Sequence, residues 1–191
     1  MKNIEVIDGH PQFLIAMPHL GFMALMALSV IERGMRIGVT YKYPSNPLTN
    51  DVILESYGLG RAKNLHFIPV GNAIPMIRAL RNGDILNINS DQRLHDTPYF
   101  DFVGHPARTS TGIAQLARKF NLPVVVGHVK RTHGAHHEIV FDGIVNIPRD
   151  GNATDDEMRG MQMVSDLMSQ AVLDAPDEYL WMHDRWRPQK D

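Results

Sequence analysis

The stretch Ile15-Ala16-Met17-Pro18-His19-Leu20-Gly21-Phe22-Met23-Ala24 places a histidine between a short apolar strand and a run of helical character. Pro18 ends the strand, since proline cannot donate a ladder hydrogen bond. A histidine at a strand-to-helix junction is well placed to act as a general base. The segment therefore predicts one strand–helix unit with a candidate catalytic residue, His19, at its junction. We expect His19 to lie at the end of a central strand, at the mouth of an apolar cleft.

Outward from this unit, runs of Val, Ile and Leu alternate with helical stretches, which predicts an α/β fold. The predicted strands are Phe13–Met17, Arg36–Tyr41, Leu65–Pro69, Asp84–Asn89, Val124–Val129 and His137–Asp142. The predicted helices are Leu20–Glu32, Asn50–Tyr57, Ala73–Arg81, Thr111–Phe120 and Asp155–Leu173. We expect a single domain over residues 1–191, with a central, mostly parallel or mixed sheet flanked by helices. The tail after Leu173 should be irregular and packed down by Trp181 and Trp186.

The overall composition excludes several classes of protein. A net charge of −2 argues against nucleic-acid binding, and the absence of cysteine excludes disulfide frameworks and thiolate chemistry. Residues 9–31 carry no Asp, Glu, Lys or Arg, but prolines, histidines and glycines interrupt this stretch before it reaches the length of a membrane span. We expect a soluble protein, or one that is peripheral at a membrane.

Asp91 follows a predicted strand, in the sequence Ser90-Asp91-Gln92-Arg93. Polar groups just beyond the carboxyl end of a strand tend to face the ligand crevice of an α/β sheet. Asp91 is therefore a candidate to bind a cation or a hydroxyl group, or to hold a nearby arginine. The alternative of equal weight is a turn aspartate that caps local amides.

Three basic residues are candidates for binding anionic groups. Arg108 stands with hydroxyl residues before a predicted helix, where anions bind readily, although plain N-capping there is the commoner outcome. Lys42 lies between a strand and a helix, and the alternative is a solvated loop lysine. Arg131 lies near several histidines in a region that we interpret as a hairpin around Thr132–Ala135; the histidine spacing does not match a zinc site, so we expect no metal.

Four segments, in this order, resemble the bacterial lipid A biosynthesis acyltransferase family, also called the late or lauroyl/myristoyl acyltransferases. His19-Leu20-Gly21 is similar to the start of the family's His-Phe-Gly-Asn-Trp-Glu block. Residues 77–84, continuing to Asp91-Gln92, are similar to its Leu-Arg-x-Gly…Asp-Gln segment. Residues 102–112 are similar to Phe-x-Gly-x-Pro-Ala-x-Thr-x-x-Gly, and residues 181–186 to the closing Trp-x-His-x-Arg-Trp.

The resemblance implies a glycerolipid-acyltransferase-like fold and a role in lipid A and lipopolysaccharide biosynthesis. A fatty acyl chain would move from an acyl carrier protein or coenzyme A thioester to a hydroxyl of a lipid A-like glycolipid, with His19 as general base and no cofactor. Lys42, Asp91, Arg108 and Arg131 would bind substrate. The implied location is cytoplasmic, with peripheral contact with the cytoplasmic face of the inner membrane.

Three departures from the family pattern limit what the resemblance implies. The family's arginine in the helix after the Asn-Pro turn has no evident counterpart, because this region is Glu55-Ser56-Tyr57-Gly58. The acid of the His-x4-Asp/Glu motif is replaced by Ala24, and the family's N-terminal membrane anchor has no counterpart before the histidine block. Three explanations of Ala24 stay open: an engineered inactive chain, a degenerate homologue, or a short branch that uses another acid. The rival function is therefore a non-catalytic or inactivated lipid- or acyl-binding homologue.

Overall fold

A six-stranded mixed sheet lies at the centre of the computed structural model, which describes residues 1–56 and 63–186. Its strands are β1 (Leu14–Met17), β2 (Ile37–Tyr41), β3 (Leu65–Pro69), β4 (Ile85–Asn89), β7 (Val124–His133) and β8 (His136–Val145). Strands β5 (Tyr99–Phe102) and β6 (His105–Arg108) form a separate two-stranded ribbon. The sheet has the order β3-β2-β4-β1-β7-β8, in which β7 and β8 are antiparallel and the other pairs are parallel. The predicted α/β fold is confirmed.

The helices cover both faces of this sheet. They are α1 (Ala24–Ile31), α2 (Pro47–Ser56), α3 (Ala73–Arg81), α4 (Gly112–Phe120) and α5 (Ala153–Asp174). Two core clusters result, one that includes residues of α1 and one that includes residues of α3, α4 and α5. Strand β1 separates them: Leu14 and Ala16 belong to the second cluster, and Ile15 and Met17 to the first. This is why β1 is uniformly apolar, as strands covered on both faces are.

Helix α1 begins at Ala24, whereas the sequence predicted a helix over Leu20–Glu32. The left-handed conformation of Gly21, with φ +59°, takes the chain out of helical geometry after His19. Residues 19–23 therefore form a loop that keeps His19 at the edge of the sheet. Helix α2 begins at Pro47 instead of Asn50, and the predicted last residue, Tyr57, lies outside the described residues.

The ribbon of β5 and β6 was not predicted. Tyr99 to Phe102 alternates between exposed and buried side chains, which is the pattern of a half-buried strand. Val103 and Gly104 both have positive φ and form the tight turn between the strands. The hydroxyl of Ser165 on α5 donates to the Asp101 carbonyl at 2.6 Å, so the ribbon packs on α5.

The predicted hairpin around Thr132–Ala135 is confirmed. Strands β7 and β8 are each longer than predicted, and they pair as far as His133 and His136. The prediction for β7 ended too early because the distal part of the hairpin is polar and exposed, so no apolar run marks it in the sequence. Strand β8 gains most of its extra length at its other end, where residues 143–145 continue the pairing with β7.

Candidate active site

The carboxyl ends of β1, β2 and β4 lie at the same edge of the sheet, because these strands are parallel and adjacent. His19 follows β1, Lys42 directly follows β2, and Asp91 follows β4. The register pairs Met17 with Asn89, so His19 and Asp91 each stand two residues beyond paired positions. Open α/β sheets hold their ligands at this edge.

His19 and Asp91 form a closed pair. One oxygen of Asp91, Oδ2, accepts the backbone N–H of His19 at 2.8 Å, and the other, Oδ1, lies 2.5 Å from Nδ1 of the ring. Because a carboxylate facing a ring nitrogen is an acceptor, Nδ1 carries the proton, and in the neutral ring Nε2 keeps its lone pair. The ring is 21% exposed and Asp91 only 2%. The geometry therefore fixes the tautomer of a histidine that solvent can reach.

Asp91 is kept ionised although it is buried. Burial raises the pKa of Asp91, but the hydrogen bonds and charge of His19 and the charge of Arg185 outweigh this effect, so its pKa lies below the usual value. Burial, and next the negative charge of Asp91, raise the pKa of Tyr179 well above its usual value. Tyr179 is consequently neutral.

Tyr179 and Arg185 belong to residues 176–186, which we call the C-terminal segment. It follows α5 and returns across the edge of the sheet to His19, where Leu180 N–H donates to the His19 carbonyl at 3.1 Å. The sequence predicted that Trp181 and Trp186 pack this segment down. Trp186 contacts Phe102, and the half-exposed ring of Trp181 stacks on Trp186 and contacts Tyr179, so both tryptophans pack the segment.

Ala24 is the first residue of α1, and the first turn of this helix contains no acidic residue. The acid that contacts the His19 ring comes instead from the loop after β4. Sequence spacing could not assign this partner, because His19 and Asp91 are 72 positions apart and meet through the pairing of β1 with β4.

The other predicted substrate-binding residues occupy different surroundings. Lys42 is exposed at the same sheet edge as His19. Arg108 is buried: its guanidinium donates to the Tyr99 hydroxyl at 3.1 Å and lies over that ring. Arg131 is exposed on the β7–β8 hairpin, and its backbone N–H donates to Glu178. His19, Asp91 and Lys42 thus lie at the same edge of the sheet, whereas the Arg108 side chain contacts Tyr99.

The predicted apolar cleft at His19 stays a prediction. Several large apolar side chains are exposed in the segments that follow the carboxyl ends of these strands and in the C-terminal segment. They are Phe22, Tyr43, Leu48, Leu94, Trp181 and Met182.

A second histidine held by carboxylates, His128 on β7, is fully buried. Its Nδ1 lies 2.8 Å from Asp142 and its Nε2 lies 3.2 Å from Asp174, at the end of α5. Lys130 contacts the same Asp174 oxygen at 2.5 Å. His128 has no exposed surface, so it ties β7, β8 and α5 together and is not open to a substrate. Within residues 1–56 and 63–186, no group of three or more metal-ligating side chains is arranged to hold an ion.

The sequence interpretation did not predict that the C-terminal segment, which carries Tyr179 and Arg185, returns to the loop of His19. The closing Trp-x-His-x-Arg-Trp pattern did mark Arg185, but it was interpreted as packing. Tyr179 had no local signal, because its role depends on the return of the chain to the edge of the sheet.

Comparison with protein families gives a match that covers nearly the whole chain. The model of the family described as bacterial lipid A biosynthesis acyltransferase matches residues 1–188. A search of curated protein sequences gave no significant match. Among the described residues, no helix combines the length and the apolar character needed to cross a bilayer.

Proposed function

From the premise that the chain belongs to the bacterial lipid A biosynthesis acyltransferase family, we propose that it transfers a fatty acyl chain to a glycolipid hydroxyl, with His19 as general base and Asp91 as the acid that orients it. The donor is the thioester of an acyl carrier protein or of coenzyme A. The acceptor is a hydroxyl of a lipid A-like glycolipid.

The proposed reaction uses the free ring nitrogen of His19. Nε2 takes the proton of the acceptor hydroxyl while its oxygen attacks the thioester carbonyl carbon. The tetrahedral intermediate collapses with cleavage of the C–S bond, and the imidazolium returns the proton to the leaving thiolate. The products are an ester and a free thiol, so the proton taken in the first step is returned in the second.

One observation carries this proposal: the contact of 2.5 Å between His19 Nδ1 and Asp91 Oδ1. A base that works through Nε2 needs its proton fixed on Nδ1 and a negative charge beside the imidazolium that forms. Asp91 can supply both. The second bond, from the His19 backbone N–H to Oδ2, ties the position of the carboxylate to that of the histidine.

The surface around His19 carries exposed cationic and apolar side chains that suit substrate anions and a membrane surface. Lys42 and Arg131 are exposed cations that can meet phosphate groups of the acceptor or donor. Arg108 belongs to the same set by its motif, but its contact with Tyr99 favours a supporting role. Exposed Phe22, Trp181 and Met182 favour peripheral contact with the cytoplasmic face of the inner membrane.

The alternative is an inactivated homologue that binds acyl chains or lipids without transferring them. Ala24 is the specific observation in its favour, because the family's motif acid is missing from the first turn of α1. The two functions differ in whether His19 accelerates acyl transfer.

The test measures transfer of a labelled acyl chain from the carrier-protein thioester, with and without glycolipid acceptor. We expect acceptor-dependent ester formation that His19→Ala reduces by at least about a hundredfold. His10→Ala is the matched control, because His10 precedes β1 at the opposite end of the strand. Acyl-chain binding without ester formation, equal in the parent chain and in His19→Ala, would establish the binding protein instead.

A further inference from the structure

We propose that Arg93 binds a phosphate group of the donor or of the acceptor at the acyl-transfer site; this rests on the proposed function of His19 and Asp91. The sequence pointed to Lys42, Arg108 and Arg131 as candidate cations for such groups, and to Arg93 only as a neighbour of Asp91. The structure gives Arg93 surroundings that suit an anion.

Arg93 lies in the loop of residues 90–98, which joins β4 to β5. It stands two residues beyond Asp91, whose carboxylate contacts the ring of His19. The loop begins at the carboxyl end of β4, the edge at which open α/β sheets hold their ligands. Arg93 is therefore at the same edge of the sheet as the proposed base and its acid.

The C-terminal segment fixes the backbone of Arg93. The ring of His183 accepts the backbone N–H of Arg93, with 2.9 Å between Nε2 and the amide nitrogen. Three residues earlier, the N–H of Leu180 donates to the His19 carbonyl at 3.1 Å. The same short segment thus bonds the loop of Arg93 and the loop of His19. A binding group on a backbone that is already fixed loses less entropy when a ligand binds.

The guanidinium of Arg93 has no acceptor among the described residues. The side chain is partly buried, and its Nε is closed off from solvent without a hydrogen bond. No ion pair joins it to a carboxylate within residues 1–56 and 63–186, and both oxygens of Asp91 are engaged by His19. Because a guanidinium is always charged, this cation is partly withdrawn from water without compensation.

Arg108 and Arg185, by contrast, are bonded within the protein. The guanidinium of Arg108 donates to the Tyr99 hydroxyl at 3.1 Å. That of Arg185 donates to the Thr109 hydroxyl at 2.8 Å and to the Arg108 carbonyl at 3.2 Å. A ligand would have to displace these acceptors, whereas it can bond Arg93 without breaking a side-chain hydrogen bond of the protein.

A phosphate group matches this cation better than the other parts of the proposed substrates. The fork of a guanidinium fits two phosphate oxygens, and charge-assisted bonds of this kind are about twice as strong as neutral ones. A rotation of the side chain that turns Nε toward the ligand also gives that nitrogen the acceptor that it lacks. The acyl chain and the thioester are uncharged, so they offer the guanidinium no such partner.

The experiment compares Arg93→Gln and Arg93→Lys with the parent chain. Arg81→Gln is the matched control, because Arg81 is an exposed arginine at the end of α3, before the opposite end of β4. One measurement is KM, for the carrier-protein thioester and for the glycolipid acceptor separately. The other is the Kd of two phosphate probes, coenzyme A and glucosamine 1-phosphate, from the backbone amide shifts of residues 91–95. Pantetheine and glucosamine are the probes without phosphate, and these Kd values do not depend on activity.

We expect Arg93→Gln to raise the Kd of at least one phosphate probe, and KM for the matching substrate, about tenfold. The value of kcat should stay within about threefold, because the lost contact is made before and during the reaction alike. Arg93→Lys should raise Kd about threefold, since it keeps the charge but not the fork. Arg81→Gln should match the parent chain, and the probes without phosphate should not distinguish the variants. A rise confined to coenzyme A and the thioester assigns the phosphate to the donor, and a rise confined to glucosamine 1-phosphate and the glycolipid assigns it to the acceptor.

Equal Kd and KM values in Arg93→Gln and the parent chain would overturn the proposal, and so would a loss of kcat alone, which would make Arg93 a structural residue. If Arg93→Gln fails to fold, the Kd values of Arg93→Lys decide in the same way. If phosphate binding depends on Arg93 but no form of the protein transfers an acyl chain, the phosphate site stands and the proposed acyl transfer fails. The two failures are therefore distinguishable.

Discussion

Replacing Asp91 with asparagine should abolish most of the acyl transfer through a change of tautomer in His19. The carboxylate accepts two N–H groups, one from the backbone at Oδ2 and one from the ring at Oδ1. An asparagine has one acceptor oxygen and one NH2 group, and the backbone N–H of His19 can only donate. The asparagine oxygen must therefore face the backbone, and its NH2 group must face Nδ1. The ring proton then moves to Nε2, where no lone pair remains for the substrate hydroxyl.

The magnitude follows from this geometry. In serine-protease triads the corresponding change costs about four orders of magnitude in turnover, which is about 5.5 kcal/mol of transition-state stabilisation. The substitution also leaves the buried Arg185 without the negative charge that compensates it. We expect an additional loss of about 2 kcal/mol in the free energy of unfolding, which is less than the roughly 3–5 kcal/mol for a broken buried pair because no direct salt bridge joins the two groups among the described contacts.

The assay combines initial rates with the ¹⁵N spectrum of the imidazole ring. In the parent chain at neutral pH, Nδ1 of His19 should carry the proton, and in Asp91→Asn the proton should appear on Nε2. Asp142→Asn is the matched control, because Asp142 lies 2.8 Å from Nδ1 of the buried His128. It makes the same chemical change at a second histidine–aspartate contact and should leave kcat within about threefold of the parent value after correction for folded fraction.

Two results would refute this reasoning. A folded Asp91→Asn protein that keeps kcat within tenfold of the parent would mean that Asp91 does not orient the base. A parent spectrum with the proton already on Nε2 would mean that the 2.5 Å contact is not the bond assumed here.

Three further predictions concern the same loop and the fold around it. Ala24→Glu should change kcat/KM by less than about threefold, because Asp91 already accepts the ring N–H of His19. A rise of about tenfold would mean that an acid at position 24, and not Asp91, orients His19. Gly21→Ala should lower the free energy of unfolding by about 3 kcal/mol in urea titrations, because at φ +59° the added Cβ would overlap the Val129 carbonyl oxygen. The control Gly134→Ala, at φ +54° in open space, should lower it by about 1 kcal/mol, and equal losses in the two variants would contradict the overlap. Burial raises the pKa of Asp156, but hydrogen bonds from two arginines and a backbone N–H outweigh burial and place this pKa below 3.8. The contribution of ionised Asp156 to the stability of the fold should therefore be complete above about pH 5 and lost as the pH falls through the lowered pKa. The difference in urea midpoint between the parent and Asp156→Asn should accordingly shrink between about pH 7 and about pH 3, and a constant difference would argue against the ionised form.

The parts of the fold that local sequence controls could be predicted. Strand β1 is apolar on both faces, and Pro18 ends it, so the position of His19 at a strand terminus was visible in the sequence. Asp91 was assigned to the crevice because residues after parallel strands share one edge of the sheet. That rule gives the edge but not the order of strands. The contact between His19 and Asp91 required β4 to be the direct neighbour of β1, which no local pattern states.

The parts that depend on long-range packing could not be predicted. Helix α1 was predicted to begin four residues too early because the apolar run continues through Gly21. The left-handed φ of Gly21 and its close approach to the Val129 carbonyl oxygen arise only in the folded chain. The ribbon of β5 and β6 was missed because its turn places Val103 at φ +55°, where β-branched residues are rare. In the C-terminal segment the aromatic residues signalled packing correctly, but the charge relation between Arg185 and Asp91 exists only in the folded chain.

The replacement of the motif acid by Ala24 is compatible with catalysis because the histidine ring has only one N–H to give when it acts as a base. Asp91 accepts that N–H, and its other oxygen is occupied by the His19 backbone. A carboxylate at position 24 could bond the ring at Nδ1 only by displacing Asp91, which would leave Asp91 buried beside Arg185 without its ring partner. The closed pair of His19 and Asp91 therefore removes the physical need for an acid at the start of α1. An active chain with alanine at position 24 is what this geometry predicts, and the rate of Asp91→Asn relative to Ala24→Glu decides between the two acids.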